Sequence, residues 1–184
     1  NEYGAYRAAF DGRELPTAFV DRAALAANIA RTADRAGGLP VRVASKSVRC
    51  RAALERILSE DCFEGVMCYT GREAVDLANA GFDDLLVAYP VVGDAELRAV
   101  AEAVTEGADI TLMVDCAEHV ERIDSAVEKA GADVPLCLDL DCSTEHFGVY
   151  FGVRRSPIRT LEYAIAVAET VTEASGVHLT GLMG

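Results

Sequence analysis

Lysine is nearly absent from this sequence. Among its 17 basic residues only Lys46 and Lys129 are lysine, and the others are arginine. Because arginine supplies a plain positive charge equally well, such sparing use favours a specific need for a primary amine. A partly desolvated lysine can lose its proton and form a Schiff base, which a guanidinium cannot. A solvated charge at a strand end is the alternative.

A basic excess is absent as well. The 30 acidic residues give a net charge of -13 and a pI of about 4.6, and the order of residues shows no basic face. This excludes a protein that holds nucleic acid by neutralising phosphates. The longest apolar runs have the length of strands, so no membrane span is expected. The first residues show no charged leader followed by an apolar region.

Cysteine spacing typical of zinc sites is also missing. The six cysteines include no CxxC pair, so we expect free thiols. Several of them fall in or beside predicted strands, where a thiol acts as a small hydrophobe. Free thiols of this kind predict a reducing, cytoplasmic setting.

A repeated plan of short apolar strand and amphipathic helix occupies most of the chain. With 51% hydrophobic residues the chain can form one sizeable core. The predicted barrel strands cover residues 41–45, 65–68, 85–89, 110–115, 136–140 and 178–183. A further strand is predicted at residues 15–21, ahead of a helix that Asp21 caps and Gly37 ends.

Capping residues mark the helix boundaries. Thr70 and Glu73 form a capping box, and Asp115 with Glu118 is interpreted as a second one. Pro157 is expected near the first turn of the last helix.

Strands that are apolar on both faces and alternate with helices predict an α/β fold with a parallel sheet. The right-handed crossover rule leaves a doubly wound sheet or a (β/α)8 TIM-type barrel. The turn Ser45-Lys46-Ser47 lacks the GxGxxG pattern of the former, which favours the barrel. Six strands are two short of closure, so we expect a fragment truncated after about the sixth barrel strand. The expected division is an arm, strand and helix over residues 1–40 and a partial barrel over residues 41–184.

Lys46 follows the first predicted barrel strand, at the end of the sheet where α/β proteins place their chemistry. Its neighbours Ala44, Ser45 and Ser47 are small and leave room for a ligand. We therefore interpret Lys46 as a catalytic amine.

Three stretches resemble the alanine-racemase-like, fold-type III enzymes that use pyridoxal 5'-phosphate (PLP), and within them the D-threonine aldolase and D-serine dehydratase branch. The stretch Leu15-Pro16-Thr17-Ala18-Phe19-Val20-Asp21 resembles that branch's opening. Arg42-Val43-Ala44-Ser45-Lys46-Ser47 is similar to its Arg-Pro-His-Ala-Lys-Thr segment, whose lysine carries PLP. Leu138-Asp139-Leu140-Asp141, followed by Gly148-Val149, resembles the strand and turn beneath the cofactor ring.

The resemblance implies that Lys46 holds PLP as a Schiff base and acts as a proton-transfer base. It also implies a homodimer and a C-terminal β domain that is absent from these residues. A divalent metal would fit the aldolase and dehydratase relatives. Its ligands and the phosphate-binding loop are expected after Gly184, so no metal ligand is assigned within this segment.

Further candidates accompany Lys46 on the resemblance. Tyr89 is expected to line the pocket, with simple packing as the alternative. Asp139 and Asp141 share one side of a regular strand, either as cofactor-binding residues or as salt-bridged structure. His146 stands where many relatives have arginine and is a candidate neighbour of the cofactor ring; the alternative is a polar loop residue.

Two adjacent arginines are candidates for anion binding. Arg154, with Arg155 beside it, is expected to take the substrate carboxylate or the cofactor phosphate, and solvated arginines before a helix are the alternative. His119 and His178 are expected to be structural.

The implied function is a PLP-dependent lyase or isomerase of D-amino acid metabolism. Its substrate would be a D- or β-hydroxy amino acid, and the reaction aldol cleavage, dehydration with deamination, or racemisation. One alternative is a non-catalytic PLP-binding homeostasis protein, which would lack the C-terminal β domain. The other is a Schiff-base barrel aldolase that uses Lys46 without PLP.

Overall fold

A computed structural model describes residues 2–184, and its contacts divide the chain into one unit up to Gly38 and a second from Leu39 onward. The first unit contains helix α1 (Glu2–Ala9) and helix α2 (Arg22–Ala36). As predicted, Asp21 caps α2, since its carboxylate accepts the Ala24 N–H at 2.9 Å. Gly37, in the left-handed conformation, ends the helix.

The strand predicted at residues 15–21 is not formed, and this prediction is wrong. The segment is irregular, because its side chains are used in local contacts with α1 and the turn after it. The Phe19 ring packs against Tyr6 and Phe10, with centroids 5.1 and 4.7 Å apart. The Tyr6 hydroxyl donates to Asp21 at 2.5 Å.

The second unit is built on a six-stranded parallel sheet. Its strands and an additional hairpin are, in chain order, β1 (Val41–Ala44), β2 (Phe63–Cys68), β3 (Leu85–Val87), β4 (Ile110–Val114), β5 (Val134–Asp139), β6 (Thr144–His146), β7 (Val149–Phe151) and β8 (Val177–Met183). The sheet order is β1-β2-β3-β4-β5-β8, while β6 and β7 pair antiparallel with each other. Each sheet strand therefore lies beside the next one in sequence, which is the order of a barrel wall and not of a doubly wound sheet.

Helices follow these strands in the order predicted. They are α3 (Ser45–Val48), α4 (Arg51–Leu58), α5 (Gly71–Asn79), α6 (Asp94–Thr105), α7 (Ala117–Val127), a 3-10 turn (Glu128–Ala130) and α8 (Leu161–Glu173). The core lies between them and the sheet, where Leu85, Leu112 and Leu136 on strands and Leu97 and Val120 on helices are at most 1% exposed. Burying each such side chain contributes about 1.5–3 kcal/mol.

Two predicted helix starts are wrong by a few residues. Cys116, not Asp115, occupies the N-cap of α7, so Glu118 falls at the second helical position and cannot close a capping box. Thr160 caps α8 by accepting the Tyr163 N–H at 3.2 Å. Pro157 lies outside that helix, next to the buried Ile158. The N-cap predicted at Thr70 is confirmed, since its hydroxyl accepts the Glu73 N–H at 3.1 Å. The Glu73 carboxylate accepts the N–H of Tyr69, one residue earlier than a capping box requires.

Gly65 in β2 illustrates how tightly the amino-terminal end of the sheet is built. Its φ of +65° is one that side chains rarely adopt, and an added Cβ would overlap the Arg42 guanidinium and the Asp84 backbone. Arg42 and Asp84 form an ion pair of 2.7 Å across this glycine. Only a residue without a side chain fits between them.

Across the part of the chain that the structure describes, no helix is both long and apolar enough to cross a membrane.

Candidate active site

The amine of Lys46 meets the hydroxyl of Tyr89 at the carboxyl ends of the strands. Lys46 lies in α3, directly after β1, and Tyr89 follows β3. The Lys46 Nζ donates a hydrogen bond of 2.8 Å to the Tyr89 hydroxyl and lies 5.2 Å from the centre of its ring. Parallel strands bring the turns at their carboxyl ends to one edge of the sheet, so residues 43 positions apart become neighbours.

Tyr89 is surrounded by a second tyrosine and an arginine. The Tyr69 ring, in the turn after β2, packs edge-on against it with centroids 4.9 Å apart. The Arg155 guanidinium lies 5.8 Å from the Tyr89 ring. The hydrogen bond from Lys46 lowers the pKa of Tyr89, the charge of Lys46 adds to this effect, and Arg155 contributes a smaller share. The phenol is therefore a better proton donor than an isolated tyrosine.

Arg155 is held in place by Asp139, at the end of β5. Two parallel hydrogen bonds join them, Nε to Oδ2 at 2.8 Å and a terminal nitrogen to Oδ1 at 2.7 Å. Asp139 is only 1% exposed, so this two-pronged contact supplies the partner that a buried carboxylate needs. The hydrogen bond to Asp139 raises the pKa of Arg155.

Asp141, two residues further, has a separate partner. It accepts from Arg159 Nε at 2.8 Å and from the Ser143 backbone N–H at 3.0 Å. Hydrogen bonding with the Ser143 side chain is the main cause that lowers the pKa of Asp141. Asp139 and Asp141 are thus each paired with an arginine, and Asp141 orders the loop that leads into the β6–β7 hairpin.

His146 lies in the β6–β7 hairpin and Arg154 just after it, whereas Lys46 and Tyr89 follow strands of the parallel sheet. The Arg154 guanidinium stacks on Tyr150 at 3.9 Å, and no carboxylate in residues 2–184 forms an ion pair with it. His146 is an exposed residue of β6 whose hairpin partner is Val149. No hydrogen bond within the described chain joins His146 to Lys46 or Tyr89.

Two residues of the site were not selected from the sequence. Arg155 was named only as the companion of Arg154, although a buried Asp139 calls for a cation nearby. Tyr69 was missed, although it follows β2 as Tyr89 follows β3. Its position directly after a strand was the available signal.

A cavity of about 200 Å³ lies beside the Asp139–Arg155 pair and reaches Cys142, Ser143 and Gly184. A larger groove of about 610 Å³ is lined by Glu55, Phe63 and Asp83 among others, at the amino-terminal end of β2 and β3. None of the candidate site residues lines the larger groove. The chemistry of the side chains, and not the volume, therefore favours the carboxyl ends as the candidate site.

The two histidines expected to be structural both have structural contacts. His119 is 5% exposed and bonds through Nε2 to the Val91 carbonyl at 3.2 Å, while His178 pairs with Asp133 at 2.7 Å. In the described part of the chain, no group of three or more His, Cys, Asp or Glu residues is close enough to hold a metal ion.

Sequential parallel βα units, with the Lys46 amine at the carboxyl ends of the strands, are the architecture of a TIM-type barrel. Comparison with known families makes this specific. Residues 20–184 match the alanine racemase N-terminal domain, and the chain belongs to that family.

Two curated proteins are similar over most of the chain. The 3-hydroxy-D-aspartate aldolase of Paracoccus denitrificans is 25% identical over 171 residues, which are 92% of this chain and 42% of that protein. The D-threonine aldolase of an Arthrobacter species is 25% identical over 172 residues, with the same two shares. Among solved structures, D-threonine aldolase from Filomicrobium marinum superposes with a TM-score of 0.79 at 23% identity, covering 92% of this chain and 43% of that one. The chain thus spans less than half the length of these relatives.

Proposed function

We propose that this chain is the cofactor-binding part of a PLP-dependent enzyme that acts on an amino acid, with Lys46 as the residue that holds the cofactor. The observation that carries the proposal is the 2.8 Å contact between the Lys46 amine and the Tyr89 hydroxyl at the carboxyl ends of the strands. Membership of the alanine racemase N-terminal domain family supports it independently.

The residues around Lys46 fit PLP. The amine is exposed, as covalent attachment to an aldehyde requires, and its position is fixed by Tyr89. The rings of Tyr69 and Tyr89 offer apolar surface to an aromatic cofactor. When bound, PLP supplies an electron sink that accepts the electron pair of a bond broken at the substrate's α-carbon.

Lys46 and Tyr89 are suited to moving a proton. At 2.8 Å, Lys46 Nζ and Tyr89 Oη are within direct transfer distance. The lowered pKa of Tyr89 makes its phenol a stronger acid, so the hydroxyl gives up its proton more readily. With its Nζ free, Lys46 would accept the proton removed from the α-carbon or from a β-hydroxyl of the substrate. Tyr89 would orient the Lys46 amine for this transfer.

Arg154 is the better-placed arginine for the substrate carboxylate. Arg155 already gives two hydrogen bonds to Asp139, so its charge is largely neutralised. Arg154 has no such carboxylate partner among the described residues and presents its guanidinium on the exposed β6–β7 side. We assign to Asp139 and Arg155 the role of holding Tyr89 in place, since the Arg155 guanidinium lies 5.8 Å from the Tyr89 ring, and to Asp141 the role of ordering the loop. His146 remains a candidate for the rim of the site.

The substrate class proposed is a β-hydroxy D-amino acid, and the reaction cleavage or dehydration. The aldolases of Paracoccus and Arthrobacter are named for 3-hydroxy-D-aspartate and D-threonine, which both have a hydroxyl on the β-carbon. A divalent metal bound by residues after Gly184, a homodimer and a cytoplasmic location complete the proposal. Six free thiols support the last point.

Borohydride reduction tests the proposal directly. The full-length protein is reduced as purified and again after addition of PLP, and its peptides are mapped by mass spectrometry. We expect a pyridoxyl adduct on Lys46 that disappears in Lys46→Ala. Lys129→Ala is the matched control, because Lys129 lies in the 3-10 turn before β5, at the amino-terminal end of the sheet.

The possible results separate the three functions. A Lys46 adduct together with turnover of β-hydroxy D-amino acids supports the enzyme, and an adduct without turnover of any amino acid with or without divalent metal supports a PLP-binding homeostasis protein. If reduction traps only a carbonyl substrate on Lys46, the protein is a PLP-independent aldolase. A label confined to Lys129 contradicts all three.

A further inference from the structure

Helix α7 holds the turn that carries Tyr89. After Tyr89, two successive carbonyl groups are each bound by a side chain from α7. His119 Nε2 bonds to the Val91 oxygen at 3.2 Å, and Arg122 Nε donates to the Val92 oxygen at 2.6 Å. The two side chains are three positions apart and so lie on one face of the helix.

These two contacts differ in their exposure to water. His119 is 5% and Val91 3% exposed, so water cannot replace their hydrogen bond. Arg122 is half-exposed and Val92 is 57% exposed, so water can take over the role of Arg122 at little cost. The His119 contact is therefore the one that fixes the turn.

The protonation of His119 follows from its partners. A carbonyl oxygen only accepts, so the Nε2 atom that faces Val91 must carry the proton. Nδ1 is buried and has no hydrogen-bond partner, and the nearest carboxylate oxygen, on Asp115, is 3.9 Å away. Burial lowers the pKa of His119, in keeping with a neutral ring. The only hydrogen bond that the His119 ring makes within the described residues is therefore the one from Nε2 to the Val91 carbonyl.

We propose that His119 is a positioning residue for the Lys46–Tyr89 pair. By holding the Val91 carbonyl, two residues after Tyr89, it keeps the phenol hydroxyl within 2.8 Å of the Lys46 amine. The effect of His119 on catalysis rests on the proposed function, whereas the effect of His119 on the reactivity of the Lys46 amine does not.

Competitive labelling of the full-length, PLP-free protein with trace acetic anhydride tests this across a pH series. Peptide mapping gives the ratio of Lys46 to Lys129 labelling, with Lys129 as the internal reference. Tyr89→Phe defines how the ratio changes when the hydroxyl is lost. We expect His119→Leu to change the ratio in the same direction, by about two- to tenfold.

Conservative variants separate positioning from general damage. His119→Gln keeps a donor at the position of Nε2 and should restore the wild-type ratio, and Arg122→Ala should leave it unchanged. His119→Leu should add nothing in the Tyr89→Phe background. If His119→Leu does not fold, His119→Asn replaces it, because its shorter amide does not reach Val91.

Three results would overturn the proposal. They are an unchanged ratio in the His119 variant, an unchanged ratio in Tyr89→Phe, and a His119 effect of equal size with and without the Tyr89 hydroxyl. Borohydride labelling fails or succeeds separately, because it reports PLP attachment and not the reactivity of the free amine. The two proposals can therefore fail independently.

Discussion

Replacing Asp139 with asparagine should destabilise the fold far more than a surface charge change. Asp139 is 1% exposed and accepts two hydrogen bonds from Arg155, at 2.7 and 2.8 Å. Asparagine keeps the volume but offers one acceptor, and its amide N–H groups face the N–H groups of Arg155. Since the Arg155 side chain is 38% exposed, water relieves part of the loss, which leaves about 2–4 kcal/mol.

Urea denaturation of the full-length protein, followed by circular dichroism, measures this effect. A loss of that size should lower the midpoint by about 1 M. Asp133→Asn is the matched control, because Asp133 pairs with His178 at the surface and should cost less than about 1 kcal/mol. Arg155→Met should be at least as damaging as Asp139→Asn, since it leaves a buried carboxylate unpaired, and the double variant Asp139→Leu with Arg155→Met should recover stability. Equal midpoints for Asp139→Asn and Asp133→Asn would refute the reasoning.

Three further predictions follow from single residues. Gly65→Ala should lower stability by about 3 kcal/mol or more, because the added Cβ overlaps the Asp84 backbone carbonyl, which cannot move aside as a side chain can. Gly81→Ala, with similar φ but open space, should cost about 1–2 kcal/mol; similar melting temperatures for the two variants would contradict this. Burial raises the pKa of Cys68 to about 12, so about one Cys68 thiol in 10,000 is ionised at pH 8. Iodoacetamide should therefore modify Cys68 only after unfolding, and labelling of Cys68 in the folded protein would contradict this prediction. Because the pKa of Asp141 is lowered, its carboxylate stabilises the fold at pH values above the ordinary carboxyl pKa of 3.8. This stabilisation is lost as the pH falls through the folded-state pKa, so the difference in stability between wild type and Asp141→Asn should disappear in acid. A difference that does not change with pH would exclude the effect.

The parallel sheet and the position of Lys46 were predictable because they depend on local patterns. A short apolar run followed by a capped helix recurs along the chain, so the six strands and their order were confirmed. The hairpin of β6 and β7 was not predicted, because its strands are three residues each and carry no alternation. The error at Asp115 arose because a shift of one residue in the N-cap removes the geometry of a capping box.

The partners within the site could be predicted only in part. A buried Asp139 calls for a cation, but the sequence offers three arginines in the following segment, and only the fold selects Arg155 for it and Arg159 for Asp141. The expectation that Pro157 lies near the first turn of α8 is wrong because this segment packs against the end of β5. Ser156 and Ile158 are 2% exposed and bind the end of β5 through backbone and hydroxyl contacts, which requires a non-helical segment.

The candidate site draws its residues from three turns that each follow a different strand and from the last residue of a fourth strand. Lys46 comes after β1, Tyr69 after β2 and Tyr89 after β3, while Asp139 closes β5. The sheet beneath them is held by backbone hydrogen bonds and a buried apolar core that do not depend on what those turns contain. A change within one of these turns can therefore alter the surroundings of the Lys46 amine while the sheet that carries it stays intact.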